Sequence, residues 1–179
     1  LVGDVARAGS ETTEANPYAV AANFIAFMGC AVGRGPYMPV GNTRHHARQF
    51  MLHIGRSGRG RKGDAVSLIG RIERALEALS QDATPKVHRG GLSSREGLVY
   101  MIHDGFTEGK ENVPAILDKR LLVIESEFAN VLHQGKRDGN TLSAALRDCW
   151  DGVSMKPATK SSRLWATDPH IAMIGAVTP

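Results

Sequence analysis

The most constraining feature is the succession, from Phe50 to Leu79, of a short apolar run, a glycine-rich basic loop and a long amphipathic run. Phe50-Met-Leu-His-Ile54 has the length and character of a strand. Gly55-Arg-Ser-Gly-Arg-Gly-Arg-Lys-Gly-Asp64 follows as a loop, and from about Asp64 the residues Val66, Ile69, Ile72, Leu76 and Leu79 recur at the spacing of a helix with one apolar face. A strand that feeds a helix in this way packs the helix back on the sheet. Loops of this make hold phosphate: successive backbone N–H groups form a concave anion site, and the helix N-terminus adds partial positive charge. Glycine matters there because a Cβ blocks close approach. Arg56, Arg59, Arg61 and Lys62 add full charges.

The rest of the chain supplies the matching elements. Residues 1–16 are small and polar and are expected to be an extended lead-in. Asn16-Pro17 is a helix start, with Asn as N-cap and Pro at the first helical position, and the helix should run to about Met28. Residues 29–45 read as loop. Lys86–His88 is a short strand candidate, and Ser93 with Glu96 forms a capping box for a helix to about His103. Residues 104–118 read as a polar loop. Arg120–Glu125 contains the uninterrupted Leu121-Leu-Val-Ile124, which suits a strand buried on both faces of a parallel sheet. A helical turn at Phe128–His133, a loop at 134–139, a helix from Asn140 or Thr141 to about Trp150, an irregular or hairpin segment at 151–168 and a strand at His170–Val177 complete the reading. Strands alternating with helices predict an α/β fold, a three-layer αβα sandwich with a mostly parallel sheet.

The loop admits three readings. As a P-loop, Gly55 and Gly60 have the standard separation, but Arg61 follows and Lys62 comes one place late. No hydroxyl follows Lys62, only Gly63 and Asp64; Asp64 either replaces the missing Mg²⁺ ligand or repels phosphate. As a dinucleotide site, Gly58-Arg-Gly60-Arg-Lys-Gly63 matches G-x-G-x-x-G, yet the acidic residue at the right distance, Asp82, precedes the next strand instead of ending it. The blandest reading is an exposed glycine–arginine loop without a ligand. Strand–loop–helix context ranks the P-loop first.

A P-loop enzyme needs a second strand ending in a carboxylate that holds Mg²⁺, with a nearby acid to orient water. Leu121-Leu-Val-Ile-Glu125-Ser-Glu127 has this shape. Glu125 is the candidate metal-side carboxylate. Glu127, facing the same side in an extended chain, is the candidate general base. The alternative is a buried strand that surfaces at Glu125 and meets solvent. Thr178, at the tip of the last strand, is a candidate γ-phosphate sensor. Arg95, Arg137 and Arg163 are candidate arginine fingers. The strand of the phosphate loop and the strand ending at Glu125 are expected side by side. Neither a G-x-S-x-G elbow nor zinc-ligand spacing is present, and the adjacent His45 and His46 point apart on any regular element.

Composition limits the rest. The 179 residues, 42% hydrophobic, suffice for one core. The organisation expected is a helical lead-in and loop over 1–45 and a core over 46–179. A first residue Leu1 and a last residue Pro179 just after an apolar run are read as a piece of a longer protein. No apolar stretch approaches the ~20 residues that span a bilayer. Cys30 and Cys149 lie far apart and read as buried thiols of a cytoplasmic protein. A net charge of +4 suits nucleotides or nucleic acid without demanding them, and 6% aromatics show no obvious stacking platform.

Several motifs together resemble one family: Thr13-Glu-Ala-Asn-Pro17, Gly33-Arg-Gly-Pro36, the loop through Arg61-Lys62-Gly63, Gly91-Leu-Ser-Ser-Arg-Glu-Gly-Leu98, Asp118 through Phe128, Gly139-Asn-Thr-Leu-Ser143 and Trp150-Asp-Gly152. They resemble an uncharacterised P-loop family of bacteria, phages and mobile elements, a domain of unknown function described as helicase-like and found with primase-polymerase domains. The resemblance implies a RecA- or AAA-type core that continues past Pro179, with Arg61-Lys62-Gly63 as a variant phosphate loop. Where that family usually has Thr, this chain has Asp64, and where many relatives have an acid it has Ser126.

The expectation is therefore an NTP-binding, ATP-hydrolysing domain in replication of phage or mobile-element DNA. Gly55, Ser57, Gly58, Gly60, Arg61, Lys62, Gly63 and Asp64 would hold ATP or another NTP, Asp64 and Glu125 would hold Mg²⁺, and Glu125, Glu127 and Thr178 would serve the reaction. DNA, a primase or another replication protein, and further copies of the chain are the expected partners, with no membrane. Two rivals stand beside it: a non-hydrolysing P-loop scaffold that binds DNA or a replication partner, and a dinucleotide-dependent oxidoreductase.

Overall fold

The computed structural model describes residues 1–56, 62–156 and 164–178. In chain order its elements are α1 (Val2–Ser10), α2 (Pro17–Ala31), β1 (Tyr37–Val40), β2 (Thr43–His46), β3 (Phe50–Ile54), α3 (Lys62–Glu77), β4 (Lys86–Arg89), α4 (Arg95–Tyr100), β5 (Phe106–Glu108), β6 (Glu111–Val113), β7 (Arg120–Glu125), α5 (Phe128–Gly135), α6 (Leu142–Asp151) and β8 (His170–Val177), with a 3₁₀ turn at Gln81–Ala83. Four strands make the central sheet in the order β3-β8-β7-β4, all parallel. The two remaining pairs, β1–β2 and β5–β6, are separate antiparallel hairpins.

Side chains of a strand alternate between faces. Leu121, Val123, Ile171 and Met173 therefore enter one core with Leu98, Val99, Val131, Leu142, Ala145 and Cys149 of α4, α5 and α6. Leu122, Ile124, Ala172 and Ile174 enter the opposite core with Ala26, Phe27 and Cys30 of α2 and Ile69 of α3. Helices thus cover both faces, and the apolar runs of β7 and β8 are buried on both sides. Each such Leu or Ile stabilises the fold by about 1.5–3 kcal/mol through burial. Among the described residues, no helix is long and apolar enough to cross a membrane.

Several local expectations are corrected. The lead-in is partly helical, as α1. The 29–45 loop contains most of the β1–β2 hairpin, turned at Gly41 with φ +57°. The helix after the phosphate loop starts at Lys62, two residues before the expected Asp64. Ser94, not Ser93, caps α4: its Oγ accepts from the Gly97 N–H at 3.1 Å, and the helix stops at Tyr100. The 104–118 segment holds the β5–β6 hairpin. In 151–168, Met155 and Ala166 form an antiparallel bridge around residues outside the description. The N-cap of α2 is as read, with Asn16 Oδ1 accepting from the Tyr18 N–H at 2.9 Å and Pro17 beginning the helix.

Candidate functional site at the carboxyl ends of the strands

Parallel pairing brings the strand ends into line. Ile54 lies opposite Val177, Glu125 opposite Gly175, and Arg89 opposite Ile124. In open parallel sheets this edge is where ligands bind. A cavity of about 900 Å³ opens there, bordered by Arg56, Lys62, Gly63, Asp64, Arg89, Glu125, Ser126, Glu127 and Thr178, and by the Val66–Glu77 flank of α3.

Lys62 stands on the first turn of α3, where the helix N–H groups have no partner within the helix. Its Nζ donates to Gly55 O and Val177 O, both at 2.8 Å, and to Thr178 Oγ1 at 3.1 Å. The Gly55 N–H also donates to Val177 O at 3.1 Å. The lysine therefore ties the start of the glycine loop to the tip of β8. Its charge reaches His53, half-buried on β3, whose pKa is pushed down by burial first and by Lys62 second. Asp64 occupies the same first turn, a favourable place for an acid beside the helix dipole whether or not it meets a metal.

Glu125 does not surface into solvent: it is 4% exposed, and its Oε1 accepts from the Leu92 N–H at 2.7 Å. One carboxylate oxygen thus pins the loop between β4 and α4 while the residue borders the cavity. Glu127 is corrected in conformation. It is not a continuation of the strand but the residue before α5, with φ −127° and ψ 67°, exposed on the turn and still on the cavity border. The side-by-side placement of β3 and β7 is corrected too, because β8 lies between them and puts Thr178 between the lysine end and the carboxylate end.

Of the residues expected to hold phosphate, Gly55, Lys62, Gly63 and Asp64 are described and lie at this edge, while Ser57, Gly58, Gly60 and Arg61 lie outside the described residues. Asp64 and Glu125 share the cavity. Among the described residues, no group of three or more His, Cys, Asp or Glu is arranged to hold a metal. Arg95 is engaged by Asp148 at 2.9 Å. Neither Arg95 nor Arg137 borders the cavity, and Arg163 is outside the description. Asp82 sits at the other end of the sheet, where its carbonyl accepts from the Arg120 guanidinium at the start of β7. It is not placed to meet a ribose beside the glycine loop.

The residue that sequence reasoning missed is Arg89. It ends β4, borders the cavity and pairs with Glu73 of α3. Its signal was available: a cation followed by Gly90-Gly91 at the end of a parallel strand. No protein-family model and no curated protein matches the chain.

Proposed function

We propose that this cavity binds the polyphosphate of a nucleoside triphosphate, ATP foremost, and that the domain is a hydrolytic, motor-like P-loop module acting on phage or mobile-element DNA. The observation that carries the reading is the convergence of Lys62 and the N-terminus of α3 with Glu125, Glu127 and Thr178 on one cavity at the carboxyl edge of a parallel sheet. Lys62 exchanges its carbonyl partners for phosphate oxygens. Asp64 and Glu125 would hold Mg²⁺, which would neutralise charge on the transferred phosphoryl group. Glu127, on an exposed turn, orients the attacking water, and Thr178 reads the γ-phosphate end. The motif resemblance to the helicase-like, primase-associated family supports the biological setting.

The test is calorimetric titration of ATP with Mg²⁺ into the chain and into Lys62→Ala. Binding that disappears in the variant is the expected result, and equal affinity rejects the assignment. A second reading, a P-loop scaffold that does not hydrolyse, is favoured by Asp64 in place of a hydroxyl and by the internal bonding of Lys62. Steady ATP turnover that collapses in Glu127→Gln eliminates it.

A further inference from the structure

At the amino ends of the strands lies a second cavity, about 520 Å³, bordered by Arg34, Asn42, Thr43, Arg44, His46, Arg48, Asp151 and Asp168. Its cations outnumber its acids. Arg34 pairs with Asp168 at 3.3 Å and donates to Gly152 O and Pro169 O. Arg48, 8% exposed, donates to Trp150 O and Asp151 O at the end of α6, while its Nη1 has no hydrogen-bond partner. Arg44 forms no ion pair among the described residues; its guanidinium lies 4.7 Å from the centre of the Tyr37 ring. The excess is felt by the imidazoles. His46 is pushed below its ordinary pKa by burial first, then by Arg34 and Arg48.

Above this cavity stands the β1–β2 hairpin, exposed along its whole length except at His46. Register pairs Tyr37 with His46 and Pro39 with Arg44, so these four share one face. The Tyr37 ring packs against His46 at 5.8 Å and is itself 48% exposed. Met38 and Val40 expose further apolar surface on the opposite face. Tyr37 and Arg44 are thus held together in solvent over a pocket whose cations outnumber its acids. Single-stranded nucleic acid offers the complement, a phosphate for the pocket and an unpaired base for the ring.

We infer that the hairpin and the cavity beneath it bind single-stranded nucleic acid, with a backbone phosphate on Arg44, in the field of Arg34 and Arg48, and a base stacked on Tyr37. The inference does not rest on the nucleotide reading, because it uses the other end of the sheet. It places a contact where the low aromatic content showed none.

The experiment is fluorescence anisotropy of a labelled oligo(dT), about twenty nucleotides, at low salt with the chain and its variants. Tyr37→Ala and Arg44→Glu should each weaken binding by about tenfold, the worth of one stacked base or a reversed phosphate contact. Tyr37→Phe should restore it, and Lys62→Ala should leave it within about twofold. All three positions are exposed or half-buried, so folding, checked by thermal midpoint, is not at stake. Undetectable oligonucleotide binding, or binding lost in Lys62→Ala and indifferent to Tyr37→Ala and Arg44→Glu, overturns the inference. So does displacement of the oligonucleotide by an equal concentration of inorganic phosphate with no effect of Tyr37→Ala, which marks a small-anion site.

Discussion

The two ends of the parallel sheet use the same residue types for different ends. At the carboxyl edge, an ideal Cβ built on Gly63, Gly90 or Gly91 meets nothing within 4 Å, so glycine there leaves open space. At the amino edge, a Cβ on Gly29 would stand 2.2 Å from Ala47 O and one on Gly152 would stand 2.1 Å from Arg48 Nη1. Glycine there lets groups pack. Arg120 donates to Ala31 O at 2.7 Å and Arg48 to the last carbonyls of α6, closing chain ends as caps do. Lys62, which donates to Gly55 O and Val177 O, and Arg89, paired with Glu73, border the larger cavity at the carboxyl edge, and Arg48 borders the smaller one at the amino edge. Glycine beside arginine in a sequence is therefore not a phosphate signature until the space around it is known.

The largest effect follows from this contrast. Gly152→Ala forces a left-handed residue at φ +67° and drives a methyl into a guanidinium held by two carbonyls. Gly29→Ala drives one into a backbone oxygen. Each should lose about 3 kcal/mol or more, through overpacking with left-handed strain added at Gly152. For a chain of this size that is a thermal midpoint lower by roughly 10 °C. Gly63→Ala should leave the midpoint unchanged or slightly raised, since alanine favours the helix. Equal losses at all three positions would break the comparison.

A middle-sized effect separates tether from charge at Glu125. Glu125→Ala leaves the Leu92 N–H without its acceptor and should cost about 1–3 kcal/mol in denaturant unfolding. Glu125→Gln keeps an acceptor oxygen for the Leu92 N–H and should lose less stability than Glu125→Ala, while Mg²⁺-dependent ATP turnover falls at least tenfold. Full turnover in the Gln variant would make Glu125 a structural residue only.

The legibility of the fold divides along physical lines. β7 and β8 were readable because Leu121–Ile124 and Ile171–Ile174 are apolar without interruption, and only two-sided burial tolerates that. The start of α2 was readable because Asn16-Pro17 is a local capping signal. Strand order was not, since β8, last in the chain, inserts between β3 and β7 through contacts that no local pattern encodes. The β1–β2 hairpin carries no apolar alternation, because nearly all its side chains face solvent. The site shows the same split. Lys62, Glu125 and Thr178 announce themselves at strand and helix ends, whereas the approach of Arg89 to Glu73 depends on the crossover that lays α3 across the sheet. Glu127 borders the cavity from a turn before α5 and not from the extended chain that the sequence suggests.

A smaller effect concerns pH. His170, 1% exposed, donates from Nε2 to Gly29 O at 2.8 Å, leaving Nδ1 unprotonated and unpartnered. Burial, then Arg48, His46 and Arg34, hold its pKa below the ordinary 6.5, against a raising contribution from the Gly29 carbonyl. The folded state therefore binds fewer protons than the unfolded state as pH falls through 6.5, so stability present above that value is lost on acidification. His46 and His53 act in the same direction. Asp104 and Asp118, held below their ordinary 3.8, bear on a lower window. The thermal midpoint should drop by a few degrees between about pH 7.5 and pH 5.5; a flat or rising profile would mean that the imidazolium is accommodated at the amino edge.

The smallest effect is the most discriminating, because each edge carries its own imidazole. His53 lies near Lys62, and His46 near Arg34 and Arg48, and in both cases these cations depress a pKa that burial has already lowered. An anion that neutralises the cations removes that part of the depression and leaves the burial part, so each pKa should rise without reaching its ordinary value. Nuclear magnetic resonance titration of the two rings reads this directly. ATP should raise His53 and leave His46 in place, and Lys62→Ala should raise His53 without any ligand. Oligo(dT) should raise His46 and leave His53. ATP that moves only His46, or an oligonucleotide that moves only His53, exchanges the roles of the two edges, since no charge change at one cavity reaches the far imidazole in preference to the near one across screened solvent.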